Sequence, residues 1–138
     1  MKAKLSLLAV AILLISAAWV SPKGKYSSDL QGMIVTTPDP NFNSFKTHRK
    51  ARGVVATWKL TTNVGVTGFV VERTYEDPSD PYAVWENIYA MPCNQSAQFF
   101  KHEDENVSPG FISYRVLAFL QVGGSVLSET STIHIVSH

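Results

Sequence analysis

From Phe42 onward the chain breaks into short runs of alternating apolar and polar residues, set apart by clusters of Gly, Pro, Asn and Asp. Period-two alternation over 4–8 residues between turn formers predicts strands with one buried face. The runs are Phe42–Lys46, Val54–Leu60, Phe69–Arg73, Val84–Tyr89, Ala97–His102, Ile112–Leu120 and Val126–Val136. In the second, Val54, Ala56 and Trp58 share one face; in the third, Phe69 and Val71 point inward and Val70 and Glu72 outward. Trp85 and Ile88 are expected as the apolar positions of the fourth. The connectors are a polar turn over 48–53, a small-residue link with Asn63, Gly65 and Gly68, and the breakers Asp77-Pro78 and Asp80-Pro81. An acidic loop follows over 103–110, and then the Gly123-Gly124 turn. Seven antiparallel strands without a helical period predict an all-β fold in which two sheets enclose one core.

The first forty residues are patterned differently. A basic head, Met1 to Lys4, precedes the apolar run Leu5–Ile15 and the small residues Ser16, Ala17 and Ala18. These are the three regions of a secretory signal peptide over 1–18, with cleavage expected after Ala18. The apolar run is shorter than the roughly 20 residues a bilayer span needs. Residues 19–40 read as a leader with one apolar stretch, Met33-Ile34-Val35, and residues 41–138 as the domain. A secreted or extracytoplasmic protein is expected, with no membrane span after cleavage.

Charge narrows the partners. The formal net charge is +1 from 12 basic and 11 acidic side chains; losing Lys2 and Lys4 leaves 12 − 2 = 10 against 11, a net of −1. Such a chain has no field to hold nucleic acid. Cys93 is the single cysteine, so an internal disulfide is excluded and the core alone must stabilise the fold. Cys93 can be a half-buried apolar residue or a thiol that pairs between chains.

Five motifs in order, Phe45, Gly53-Val54-Val55-Ala56-Thr57-Trp58, Gly68-Phe69-Val70-Val71-Glu72-Arg73, Trp85-x-x-Ile88 and Tyr114-Arg115-Val116, resemble a fibronectin type III domain. The chain is most similar to the exported bacterial subtype with a Gly-Phe-x-Val-Glu-Arg strand. The resemblance covers residues 41–138 and implies an immunoglobulin-like β-sandwich. It makes Trp58 the core tryptophan of the second strand, and Tyr114 a corner residue whose hydroxyl bonds backbone across the loop before its strand. Residues 75–81 depart from the subtype, which usually has a tight Asp-Gly turn there.

The implied topology gathers the loops into two poles. One collects His48, Arg49, Lys50 and Arg52 against Glu76, Asp77, Asp80, Glu103, Asp104 and Glu105, a self-compensating solvated end. The other collects residues 61–67, 91–96 and 121–125, without a single charge. Val64, Val66 and Val122 are therefore candidate binding residues, since such a pole is cheap to desolvate. With Trp58, Phe69, Val71, Tyr114 and Val116 pointing inward as the structural core, Leu117 and Phe119 face out beside Val70. That row is a second candidate binding surface. Tyr75, Tyr82 and Tyr89 with Trp85 form an aromatic-rich region on which a sugar could stack.

No nucleophile elbow, metalloprotease helix, phosphate loop or paired-cysteine motif occurs, so no catalytic residue, metal ligand or cofactor is expected. His102 to Glu105 lie on an extended segment whose side chains alternate, which keeps them from converging on one ion. The sequence thus predicts a cell-surface or secreted, non-enzymatic protein-binding or adhesion module. A polysaccharide-binding accessory domain is the first alternative. A self-associating surface protein, using the apolar row or Cys93, is the second; the oligomeric state stays open.

Overall fold

The computed structural model describes residues 39–137, so the expected signal peptide and all but the last two residues of the leader, Met33 to Val35 included, lie outside the described residues. Within them there is no helix. Eight strands run in order: β1 (Phe42–Lys50), β2 (Gly53–Leu60), β3 (Val66–Thr74), β4 (Glu86–Pro92), β5 (Phe100–Asp104), β6 (Gly110–Leu120), β7 (Ser125–Leu127) and β8 (Ser131–Ile135). All pairings are antiparallel. One sheet has the order β1-β2-β5, the other β4-β3-β6-β7, with β8 continuing on β6 beyond β7.

The two sheets enclose one dry interior because each strand turns its alternate apolar residues the same way. Val54, Ala56 and Trp58 of β2 meet Phe69 and Val71 of β3 and Ile112, Tyr114, Val116 and Ala118 of β6. Trp58, Phe69, Val71, Tyr114 and Val116, the five positions expected to point inward, are each 1% exposed or less. At the centre the Trp58 ring meets Phe69 edge-on at 5.5 Å and stacks on Phe100 at 6.0 Å. Phe69 and Phe100 lie 4.5 Å apart. Among the described residues the buried Trp58 indole N–H has no hydrogen-bond partner, at a cost of about 1–3 kcal/mol. Burial of roughly 200 Å² of ring at about 25 cal/mol per Å² contributes ~5 kcal/mol. The apolar term wins, so the ring belongs inside.

The strand boundaries differ from expectation where a local cue misled. β1 runs on to Lys50, so the 48–53 turn contracts to Ala51-Arg52, with Ala51 in the left-handed region at φ 48°. β3 starts at Val66, because Gly68 belongs to the strand and marks a close approach. A Cβ there would stand 2.7 Å from the Met91 carbonyl oxygen. Val66 is accordingly core, 3% exposed, and not a binding residue of the pole. β4 begins only at Glu86, leaving Trp85 in the preceding loop, half-buried rather than a core residue. β5 runs from Phe100 to Asp104, so the expected acidic loop starts later, and Asp104 is buried.

The expected final strand, 126–136, is two. Ser128 sits at the break, where its hydroxyl accepts the Val116 N–H at 2.8 Å and donates to the Glu129 carbonyl. A side chain thus takes over a ladder bond while the backbone changes course. β8 then leans toward β1, with the hydroxyls of Thr47 and Ser131 2.7 Å apart. The opposite side of the sandwich is closed by Tyr89 of β4 stacked on His102 of β5 at 4.2 Å and 12°. The edge of β4 ends in Pro92. Cys93 next to it donates its N–H to the Thr67 carbonyl, so by antiparallel alternation the Pro92 nitrogen faces away from β3, where no donor is missed.

Candidate functional site

Three loops meet at one pole, 61–65, 93–99 and 121–124, and each is fastened to another. The Asn63 amide donates to the Ala97 carbonyl at 2.6 Å, and the Gln95 amide to the Val66 carbonyl at 2.9 Å. The Gln121 N–H reaches the Gly65 carbonyl at 2.8 Å. Gly123 and Gly124 hold φ of 98° and 80°, values that favour glycine, and so close the Leu120–Gly124 turn. On this braced base Val64 is 62% exposed and Val122 94%. They border a hollow of about 450 Å³ with Pro40, Leu120 and Val126, and Asp39 at its rim. Of the three valines expected at this pole, the structure brings Val64 and Val122 together. Pro40, Leu120 and Val126 were missed because nothing local in the sequence shows that the segment before β1 abuts the β6–β7 turn.

The second candidate surface is the outer face of the five-stranded sheet. Register sets Ala90, Val70, Leu117 and Leu127 side by side across β4, β3, β6 and β7. Phe119, 41% exposed, stands one row further along, between Gly68 and Ser125. Val70, Leu117 and Phe119 thus face outward together, and the extent of the row across four strands is new. A shallow groove of about 360 Å³ runs beside it, with Val70, Ala90, Pro92 and Phe119 among its walls. On the other side the row is bounded by Glu72 and Arg115, paired at 2.6 Å, with the Arg115 guanidinium 3.9 Å from the centre of the Trp85 ring.

The polar centre of the molecule lies between the sheets near the opposite pole. The Arg73 Nη1 donates to both oxygens of Asp104, at 3.0 and 2.8 Å, and to the Asn106 carbonyl; its Nε donates to Glu86. The Tyr114 hydroxyl donates to Asp104 Oδ2 at 3.0 Å, and the Asn106 N–H to Asp104 Oδ1. The expected backbone acceptor for Tyr114 is therefore corrected to a carboxylate. β5 lies beside β2 and sets its last residue, Asp104, opposite the inward-facing Val54, which places the acid within reach. Burial, and then the charge and hydrogen bond of Asp104, push the Tyr114 pKa far above its ordinary value. Burial alone would lower the Arg73 pKa, but the bond to Asp104 and its charge outweigh that and raise it. Each of these groups is hydrogen-bonded to another, and the cluster braces the fold. The sequence did contain the signal: in an extended 102–104 segment, Glu103 and Asp104 must face opposite ways.

The remaining candidates do not converge. Among the described residues no group of three or more His, Cys, Asp or Glu side chains is placed to hold a metal ion. Lys50 and Glu103 pair at 2.9 Å on the surface. Of the other histidines, which no motif pairs in sequence, His134 stacks on Phe111 and His138 lies outside the described residues. Of the three tyrosines, Tyr75 accepts the Ser108 N–H and lies under Arg73, and Tyr89 is stacked on His102. Tyr82 is 88% exposed. Cys93 is half-buried, with burial pushing its thiol pKa up.

No family model and no curated protein matches the chain. Its fold is similar to part of OgpA from Akkermansia muciniphila: TM-score 0.52 and 14% identity, over 70% of this chain and 27% of that one. Catalytically inactive OgpA in complex with an O-glycopeptide substrate, glycodrosocin, gives 0.52, 13%, 70% and 28%. Pectate lyase PelI from Erwinia chrysanthemi, in complex with tetragalacturonic acid, gives 0.48, 19%, 64% and 27%. The chain spans roughly a quarter of the length of each. The OgpA likeness is one of fold.

Proposed function

We propose that this chain is an extracytoplasmic, non-enzymatic protein-interaction module of the fibronectin type III kind, and that it holds its partner protein at the uncharged pole. The strand order β1-β2-β5 over β4-β3-β6 supports the domain type, as do the burial of Trp58 and Tyr114. The observation that carries the binding reading is the braced hollow with two exposed valines. Exposed apolar side chains on loops tied by Asn63, Gln95 and Gln121 lose little conformational freedom on binding. The three loops hold no charge whose desolvation would oppose contact, and the carboxylate at the hollow's rim belongs to the exposed Asp39 of the segment before β1.

The test is a photo-crosslinking side chain at position 122, with a control at Lys46 on the far sheet, applied to the chain in its native envelope. A partner captured from 122 and lost in Val64→Lys is the expected result. An identical set captured from both positions, or capture indifferent to Val64→Lys, sinks the proposal. Val122→Lys is expected to leave stability within about 0.5 kcal/mol, as at other exposed sites. A carbohydrate-binding accessory role is the second reading, drawn from OgpA and its glycopeptide substrate. Silence across a glycan array removes it.

A further inference from the structure

The two outer faces of the sandwich differ in kind. That of β1-β2-β5 carries Lys46 and Lys101 on either side of Thr57, and His48 and Glu103 on either side of Val55. It is a solvated, charged face. The outer face of the other sheet holds the apolar row of Ala90, Val70, Leu117 and Leu127, with Phe119 and Pro92 in the next. The charges that border this row are Glu72 and Arg115, which neutralise each other at 2.6 Å.

We infer that this second face is a self-association surface, whose occupant is the same face of a second copy. Three observations select that occupant. First, the face is neutral by its own internal ion pair. A copy turned over upon it meets no like charge, whereas a charged partner would find no counter-charge. Second, the row runs straight across four strands. A two-fold axis in the plane of the face, parallel to β6 and midway between β3 and β6, therefore lays Val70 of one copy against Leu117 of the other and Glu72 against Arg115, an isologous contact. Third, the competing geometries are unfavourable. Seating the apolar face on the opposite face of a neighbour would strip water from Lys46 and Lys101. Pairing edge to edge along β4 meets Pro92, which has no N–H to offer. The pair therefore closes on itself and does not grow into a stack.

Area sets the strength. Four strands about 4.8 Å apart and five residues at about 3.3 Å per residue give a contact of roughly 19 by 17 Å, or about 320 Å² in projection. That falls short of the ~800 Å² per partner of a standard stable complex. The association is reversible and weak, in the micromolar range or above, and suits chains held at high local concentration.

The test is sedimentation equilibrium of the purified chain from about 1 μM to 1 mM, in reductant so that Cys93 cannot bridge copies. The wild type is expected to show a monomer–dimer equilibrium. Leu117→Lys sets a lysine against Val70 of the other copy at both symmetry-related contacts, so it weakens dimerisation by about a hundredfold or more, roughly tenfold per contact. Phe119→Ser weakens it as well, while Val122→Lys at the pole leaves it unchanged. Unaltered circular dichroism in each variant shows that the fold is kept. A wild type that stays monomeric to 1 mM overturns the inference, whether another segment, a glycan or a different protein covers the face. A dimer indifferent to both Leu117→Lys and Phe119→Ser overturns it equally.

Discussion

Replacing Tyr114 by Phe removes one hydroxyl from the interior and takes one of four hydrogen bonds from the Asp104 carboxylate. The other three, two from Arg73 and one from the Asn106 N–H, remain. A hydrogen bond to a charged group contributes about 1.5–3 kcal/mol. Because the acid stays well served, Tyr114→Phe falls near the lower end, at about 1.5 kcal/mol. Asp104→Ala is more severe. It leaves the buried Tyr114 hydroxyl unpartnered and strips Arg73 of its main counter-charge, although Glu86 and the Asn106 carbonyl still hold the guanidinium. Removing one member of a buried pair costs about 3–5 kcal/mol. The double variant has no orphaned hydroxyl, so it should be about 1–2 kcal/mol more stable than the sum of the single losses. Equilibrium urea unfolding of the four proteins at pH 7 measures all three quantities. Additive losses would refute the argument, because they are what a backbone acceptor for Tyr114 requires.

Three further outcomes follow from geometry. A Cβ at Gly53 would stand 2.5 Å from the Asp104 carbonyl oxygen, a backbone atom with nowhere to swing. Gly53→Ala should cost about 1–3 kcal/mol, read as a lower urea midpoint at unchanged slope; a neutral result would mean the β2–β5 approach is looser than described. Burial depresses the His102 pKa, against the opposing pull of Asp104. The unfolded chain therefore takes up that proton first, and stability present above about pH 6.5 is lost as pH falls through and below that value. His102→Gln should flatten the fall in urea midpoint between pH 7 and 5, and an unchanged slope there would contradict it. At the pole, Val64→Lys should abolish partner capture from position 122 while the unfolding curve stays in place, Val64 being 62% exposed.

The sandwich was legible wherever one residue per turn of the pleat decided the face. Trp58, Phe69 and Tyr114 could be placed from alternation because each is large and flanked by polar or smaller neighbours, and Val71 and Val116 follow two residues on from Phe69 and Tyr114. Leu117 and Phe119 followed as the complement, and their outward position holds for the same reason. What failed was local composition read as local structure. Gly68 suggested a loop, yet it is the residue a strand needs where the Met91 carbonyl comes close, and Val66 was lost to the core with it. Three acids in succession suggested a solvated segment, although Asp104 lies opposite Val54 and points under the sheet. Trp85 suggested a core position, but its partner is the Arg115 cation on the outer face. In each case the deciding neighbour is distant in sequence: 23 residues for Gly68 and Met91, 50 for Val54 and Asp104, 30 for Trp85 and Arg115. A single chain read in windows cannot supply those pairings.

β1 begins beside Thr61 and β8 ends opposite Gly110, so the chain enters the sandwich at the uncharged end and leaves it at the other. Eleven residues of β6 separate the two ends by about 36 Å. A tether on the entering side would press whatever it is fixed to against Asp39 and Pro40, shading the hollow from a bulky guest. A tether on the leaving side would hold the hollow at full reach, open to whatever passes. Fusing a bead or a fluorescent carrier to one side or the other therefore ought to give two reagents of unequal appetite from one and the same fold.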